Sequence, residues 1–344
     1  MTDKWIFWFE EIGQGHNELV GKKCANLGEM TKIGMPVPHG FSLSIKAQEK
    51  FMRETNAERE IRQFLSKFEW QEHGLKQYEE ASRGLRQIIE TKEIPQDMRE
   101  TIMSHYDLLC QRCGPEVAVS VRSAGTESHP GQYETYLNVR KGELLYRILK
   151  VWSSIYNTRT IAALDHKSLP VENSSFIGVA VVEMVNACCA GVGFTCDPVS
   201  GDPSKIVIEG NWGLGESVVS GATIPDKYVL NKYTLKIKER AIGDKQMQVV
   251  ATGEGTEQQK TPPDKRLIPC LSDEEVVKIA ELAKVLEVRF GVPQDIEWAI
   301  SADLPFPKNV FLLQTRPVAG IKAKATTSST AHMIDEMKEK LFGL

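Results

Sequence analysis

The sequence predicts an α+β chain built as two lobes of mixed sheet and helix, on three observations. A charged stretch from Ser44 to about Gly114 has helical period. Strand-like runs rich in β-branched residues follow it, bounded by Gly, Pro and Asp. The chain has 344 residues, 41% hydrophobic and 26% charged, an ordinary globular composition long enough for two or three packed lobes rather than one core.

Within the helical stretch, runs such as LKQYEEASRGLRQIIE carry apolar residues at three- and four-residue spacing, with breaks expected at Gly74 and Pro95. Strands are expected at VAVSVRS (117–123), FIGVAVVEMV (176–185), GVGFT (191–195) and KIVIEG (205–210). The stretch between Ala251 and Pro269, ATGEGTEQQKTPPDKRLIP, reads as a long exposed loop. In LSDEEVVKIAELAKVLEVRFG, Ser272 and Glu275 form a capping box, and Val276, Ile279, Ala283, Leu286 and Phe290 line one face. Gly291 stops that helix. After Val318 a small polar linker, AGIKAKATTSSTA, leads to an amphipathic helix from about Ala331 to Leu344. The expected division is a first lobe over 1–180 with a helical insert at about 45–114, a second lobe over 181–320, and a linker with a C-terminal helix over 321–344.

A net charge of −4 and a pI of about 6.1 give no reason to expect nucleic acid or an anionic membrane as partner. No run approaches the roughly 20 apolar residues of a membrane span. The start, MTDKWIFWFEEIG, lacks a basic segment followed by an apolar one and a small-residue cleavage site. Seven cysteines, an odd number, fit a reducing compartment, and the cytoplasm is expected. Cys110 and Cys113 form a lone CxxC without a second pair at zinc spacing, and Cys188 and Cys189 lie in an apolar strand, so buried thiols are expected at these places.

The stretch DIEWAISADLPFPKNVFLLQTRPV carries the most chemistry. A period of two puts Ile296, Trp298 and Ile300 on one face of a strand and Asp295 and Glu297 on the other. In VFLLQTR the same period groups Val310, Leu312, Gln314 and Arg316. A hairpin with its tip near Pro305 and Phe306 would pair Glu297 with Gln314 and Asp295 with Arg316. A carboxylate beside an amide oxygen offers two hard ligands for Mg2+, and the neighbouring arginine can fork onto a phosphate. The plainer alternative is a surface cross-strand ion pair, contributing about 0–1 kcal/mol.

Three further stretches repeat a phosphate theme. VGKKCANLGEMTKIGMPVPHGF places lysines in a loop ahead of a short helix that ends at Gly34, Pro36 and Pro38. VAVSVRSAGTESHPGQYETYLNV ends a strand with Arg122 and Ser123 and enters a loop of Gly, Thr, Ser and Pro. IVIEGNWGLGESVVSGATIPDKYVL follows a strand with Gly213, Gly215 and Glu216, where backbone amides can approach a polyphosphate. Each alone is a weak signal, since a Gly-rich loop is more often only a turn.

In order and wording these stretches resemble the nucleotide-binding N-terminal domain of the family of phosphoenolpyruvate synthase, pyruvate phosphate dikinase and rifampin phosphotransferase, from about Val20 to Val318. The resemblance implies an ATP-grasp fold with ATP between two lobes, and transfer of its β-phosphoryl group to a histidine on a separate domain, leaving AMP. It implies Lys23 and Arg122 as phosphate-holding residues. Glu183, Met184 and Val185 match the segment that meets adenine, and Glu209 a nucleotide-facing acid. Glu297 and Gln314 match the Mg2+ ligands, and Arg316 the arginine beside the transferring phosphate.

This chain departs from the family where Gly21, Lys22, Lys23 and Cys24 replace a more glycine-rich segment, so Lys22 competes with Lys23 for the phosphate role. His129 has no counterpart and reads as an exposed loop residue. The family's Gly-rich phosphoacceptor histidine motif is absent from these 344 residues. A partner is therefore expected: a larger subunit that carries the histidine and the acceptor-substrate site. As a stand-alone nucleotide lobe the chain is similar to the smaller subunit of phenylphosphate synthase, which would make phenol the final acceptor and the 331–344 helix a docking element. The alternatives are the nucleotide-binding domain of another such enzyme and a non-catalytic ATP-sensing subunit.

Overall fold

The computed structural model describes residues 4–68, 70, 74–127, 133–166 and 175–320. The expected helix over 331–344 and His129 lie outside these residues. The chain divides into two compact units. The first holds the residues up to Lys32 and His39–Met184; the second holds Ile33–Pro38 and the residues from Val185 onward.

The first unit contains β1 (Ile6–Trp8), α1 (Asn17–Val20), α2 (Lys22–Lys32), β2 (Gly40–Leu43), α3 (Ile45–Glu54), α4 (Ala57–Lys67), α5 (Leu75–Glu90), α6 (Gln96–Cys113), β3 (Val119–Ala124), β4 (Thr135–Val139), α7 (Leu144–Ser153), α8 (Thr158–His166) and β5 (Gly178–Glu183). Its sheet runs β1-β2-β5-β3-β4, antiparallel throughout. The helical stretch becomes α3 to α6. Gly74 precedes α5 and Pro95 precedes α6, as the period requires. A further break at Asn56, in the left-handed region at φ 56°, is not marked by any Gly or Pro. On α5 the buried residues Tyr78, Ala81, Leu85 and Ile89 follow the helical repeat. They join one core with Phe51, Ile102, Val121, Trp152 and Val181.

The second unit contains β6 (Ala187–Phe194), β7 (Lys205–Trp212), α9 (Glu216–Val219), β8 (Asp226–Asn231), β9 (Ile237–Ala241), β10 (Met247–Ala251), β11 (Thr256–Lys260), α10 (Asp273–Phe290), β12 (Gln294–Ser301) and β13 (Val310–Pro317). Six strands make one sheet in the order β13-β12-β6-β7-β8-β9. On α10, Ser272 Oγ accepts the Glu275 N–H at 3.2 Å, while the Glu275 carboxylate accepts the Ser272 N–H at 2.9 Å. Gly291 ends the helix at φ 72°, a conformation that costs glycine nothing. α10 packs on β12, β13, β6 and β7. Its Val276, Ile279, Ala283 and Leu286 are fully buried, as are Ile296, Trp298 and Leu312 on the strands. Withdrawing each such side chain from water contributes about 1.5–3 kcal/mol, and Leu286→Ala would cost about 2–5 kcal/mol.

One expectation fails here. Residues 251–269 are not a continuous loop, because β11 pairs with β10 in a two-stranded antiparallel ribbon that turns at Thr252–Gly255. TEQQK has no apolar alternation, so only its backbone pairing marks it as a strand.

Candidate functional site

Strands β12 and β13 form the expected hairpin, with Glu297 opposite Gln314 and Asp295 opposite Arg316. The grouping of Val310 and Leu312 with Gln314 and Arg316 is corrected. The register shifts between Glu297 and Trp298, so that Trp298 faces Leu312 and Ile300 faces Val310. Leu313 is the extra residue of a β-bulge, and an extra residue inverts the alternation beyond it. Leu312 and Val310 therefore turn into the core beneath α10, while Gln314 and Arg316 share the face of the two acids. The bulge thus lets one strand be apolar at its start and polar at its end on opposite faces of the sheet.

That face continues across the sheet. Gln314, Glu297, Val192, Glu209 and Lys227 are successive directly paired residues on β13, β12, β6, β7 and β8. All five are half-buried. Glu297 and Glu209 stand two strands apart, about 10 Å. Lys227 Nζ lies 3.4 Å from Glu209. In the next row, Arg316 Nε and Nη2 each meet Asp295 Oδ2 at 2.7 Å. Burial pushes the Asp295 carboxyl above its ordinary range; Arg316 opposes this and Glu297 adds to it. The result is a band of acid, amide and cation on a rigid strand framework.

In the first unit, Lys22 and Lys23 open α2 rather than lying in a loop before it, which corrects the sequence reading. Gly21 explains the sharp entry. It sits at φ 79°, and a Cβ there would stand 1.9 Å from the carbonyl oxygen of Ala124 at the end of β3. The Lys22 N–H donates to the Gly125 carbonyl at 2.8 Å. The start of α2 is thereby held against the end of β3, the strand that carries Arg122. Lys23 and Arg122 both act on the buried Cys24, whose thiol burial pushes up to about 11 while the two cations pull it down. The unit thus gathers positive charge at a helix N-terminus, a setting that favours anions.

Glu183 ends β5 in an unforeseen cluster. Its carboxylate lies 3.2 Å from His39 Nδ1 and is hydrogen-bonded to Cys113. Burial raises the carboxyl, but the bonds to His39 and Cys113 outweigh it and hold Glu183 below its usual range. The Met184 N–H donates to the Ala118 carbonyl at 2.9 Å. Met184 closes the first unit and Val185 begins the second.

In the glycine-rich loop after β7, the reading of the Gly213 amide as phosphate-facing is corrected. The Gly213 N–H donates to the Cys188 carbonyl at 2.9 Å and the Leu214 N–H to the Val249 carbonyl at 2.8 Å, so these two amides are engaged within the fold. Gly213 is needed because a Cβ would meet the Val249 oxygen at 2.2 Å, at φ 74°. Cys188 is exposed rather than buried; its neighbour Cys189 faces the core, as alternation along β6 demands.

Of the residues singled out by sequence, Lys23, Arg122, Glu183 and Met184 belong to the first unit. Val185, Glu209, Glu297, Gln314 and Arg316 belong to the second. The second unit brings Glu297, Gln314, Arg316 and Glu209 onto one sheet face; the first brings Lys23 near Arg122. Sequence reasoning missed Lys227 and His39 and took Cys113 for a buried thiol, though it is half-buried; the relevance of all three depends on strand and helix neighbours remote along the chain.

Known proteins agree with this architecture. Residues 17–338 match the family model described as "Pyruvate phosphate dikinase, AMP/ATP-binding domain". A probable phosphoenolpyruvate synthase of Methanothermobacter thermautotrophicus is 36% identical over 323 residues, covering 92% of this chain and 46% of that protein. A probable phosphoenolpyruvate synthase of Staphylothermus marinus is 35% identical over 344 residues, covering 91% and 41%. The phosphoenolpyruvate synthase of Pyrococcus furiosus is 32% identical over 396 residues, covering 100% and 47%. The chain thus spans less than half the length of the curated relatives it matches. With its α+β, ATP-grasp-type architecture, the chain belongs to the pyruvate phosphate dikinase AMP/ATP-binding domain family.

Proposed function

We propose that the chain is the ATP-binding part of a dikinase-type phosphotransferase, which sends the β-phosphoryl group of ATP to a histidine carried outside these 344 residues. The observation that carries this reading is the pairing of Glu297 with Gln314 beside Asp295 with Arg316, in a chain of the AMP/ATP-binding family. The Glu297 carboxylate and the Gln314 amide oxygen are hard oxygen donors that fit Mg2+, which would neutralise phosphate charge there.

Asp295 grips Arg316 through Nε and Nη2 and leaves Nη1 outside that pair, so the guanidinium is oriented before a phosphate arrives. Lys23 and Arg122 are the further phosphate-holding residues of this reading, and Glu209 its nucleotide-facing acid. The backbone of Glu183, Met184 and Val185 reads the adenine edge. In the transfer, a histidine nitrogen bonds to the β-phosphorus as the bond to the AMP oxygen breaks, giving a pyrophosphoryl-histidine; water then attacks the γ-phosphorus, the β–γ bridging bond breaks, and phosphate leaves behind a phosphohistidine. Phosphoryl transfer asks the protein mainly for positioning and charge neutralisation, which this residue set provides.

In our first reading the histidine belongs to a larger partner subunit and the final acceptor is phenol, as in phenylphosphate synthase. A second reading is favoured by the relatives: the three named above are phosphoenolpyruvate synthases or probable ones, of which the chain spans less than half. In that reading the acceptor is pyruvate, and the histidine lies in a further domain or partner. A reducing cytoplasm suits the seven free cysteines of either. The test is to incubate the chain with Mg2+ and ATP labelled at the β-phosphate, with and without a histidine-bearing partner, and then to add phenol or pyruvate. Label on the partner with release of AMP supports the reaction, and the compound that removes the label names the acceptor. Tight ATP binding without AMP under any pairing would replace both readings with a sensor.

A further inference from the structure

His39, Cys113 and Glu183 come from three separate elements: the residue before β2, the last residue of α6 and the last residue of β5. One ligand atom from each lies within 4.8 Å of the other two, and among the described residues this is the one such group of His, Cys, Asp or Glu. The backbone fixes two of them. The Glu183 N–H donates to the His39 carbonyl at 2.8 Å, and the His39 N–H reaches the Glu183 carboxylate at 3.3 Å. The third is fixed by the end of α6, where the Gly114 N–H caps the Cys110 carbonyl at 2.9 Å.

We propose that His39, Cys113 and Glu183 form a binding site for one divalent transition-metal ion of the Zn2+ class, with water as the fourth ligand. Sulfur, imidazole nitrogen and carboxylate oxygen are the donor types such an ion takes. Tetrahedral bonds of about 2.0–2.3 Å require ligand atoms about 3.3–3.7 Å apart, within reach of this group after small side-chain rotations. On binding, the Cys113 thiol gives its proton to solvent and the S–metal bond forms, so thiolate and carboxylate together balance the charge of the ion. The sulfur excludes Mg2+, a hard ion, and separates this site from any held by Glu297 and Gln314. Cys110, one turn earlier on α6, is hydrogen-bonded to Tyr106. The CxxC therefore contributes one thiol, not two. His39 and Glu183 each lie within two residues of a place where the chain passes from one unit to the other, so the ion would tie two such segments together on their first-unit side.

This inference stands without the nucleotide reading, and its test uses no ATP. Co2+ is titrated anaerobically into the full chain while the thiolate-to-cobalt charge-transfer band is followed. One saturable equivalent with that band, displaced by Zn2+, is expected. Cys113→Ser should abolish the band, His39→Gln should weaken binding at least about tenfold, and Cys188→Ser should leave both unchanged. Metal-free circular dichroism and melting confirm that each variant is folded; if Cys113→Ser is not, His39→Gln carries the same readout. A band that survives in Cys113→Ser, that disappears in Cys188→Ser, or that never forms overturns the site.

Discussion

Asp226 and Asp295 each hold a cation on the same six-stranded sheet, yet one pair is closed and the other open. Asp226 accepts Lys245 Nζ at 2.6 Å, the Gly243 N–H at 3.0 Å and the Cys270 N–H at 2.8 Å. Lys245 also donates to the Gly243 carbonyl at 3.1 Å, and both side chains are 0% exposed. Asp295 instead holds Arg316 through one oxygen, with side chains 12% and 32% exposed. A closed pair directs its hydrogen bonds inward and serves the fold; an open pair keeps bonding capacity for a ligand. Fully buried charges are also costly to strand, whereas an accessible pair contributes little to stability.

The sharpest way to break the comparison is Lys245→Met, which leaves Asp226 buried without its cation. It should cost about 3–5 kcal/mol in a denaturant melt, and a loss below about 1 kcal/mol would show that the closed pair is not structural. Gly21→Ala should come next. The added Cβ meets the Ala124 carbonyl at a positive φ, so a loss of about 1–3 kcal/mol is expected, with weaker ATP binding as the start of α2 moves. Arg316→Ala should change the melt by no more than about 1 kcal/mol yet lower AMP formation about a hundredfold or more. A large loss of stability there would make Asp295–Arg316 a second closed pair.

The smallest effect is a pH dependence. Because burial raises the folded-state pKa of Asp295, protonation favours the fold. Its contribution is fully present below the unfolded value of about 3.9 and is lost as pH rises through the higher folded value. Asp295→Asn should flatten that part of the stability curve of the metal-free chain, and an unchanged curve would deny the burial effect.

Much of this was legible in the sequence for local reasons. The capping box and terminal glycine of α10 lie within the helix they delimit. The β12–β13 register followed from polar strand ends on either side of a proline-rich tip. What failed was non-local. A period of two cannot reveal the extra residue at Leu313. Nothing near Lys245 marks it as a buried lysine, because its partner Asp226 is 19 residues away. Lys227 gains meaning only once β8 is known to pair with β7. Gly213 looked like a phosphate-loop glycine, but its need comes from Val249 on β10, a strand 36 residues further along that no local pattern had marked.

The central claim is that the polar ends of β12 and β13 hold the metal of a metal–nucleotide complex. Calorimetric titration of ATP into the parent chain and Glu297→Gln, with and without Mg2+, tests it most directly. The account predicts that Mg2+ strengthens ATP binding to the parent, and that most of this gain disappears in Glu297→Gln while the melt stays within about 1 kcal/mol. An equal gain from Mg2+ in both proteins would contradict it.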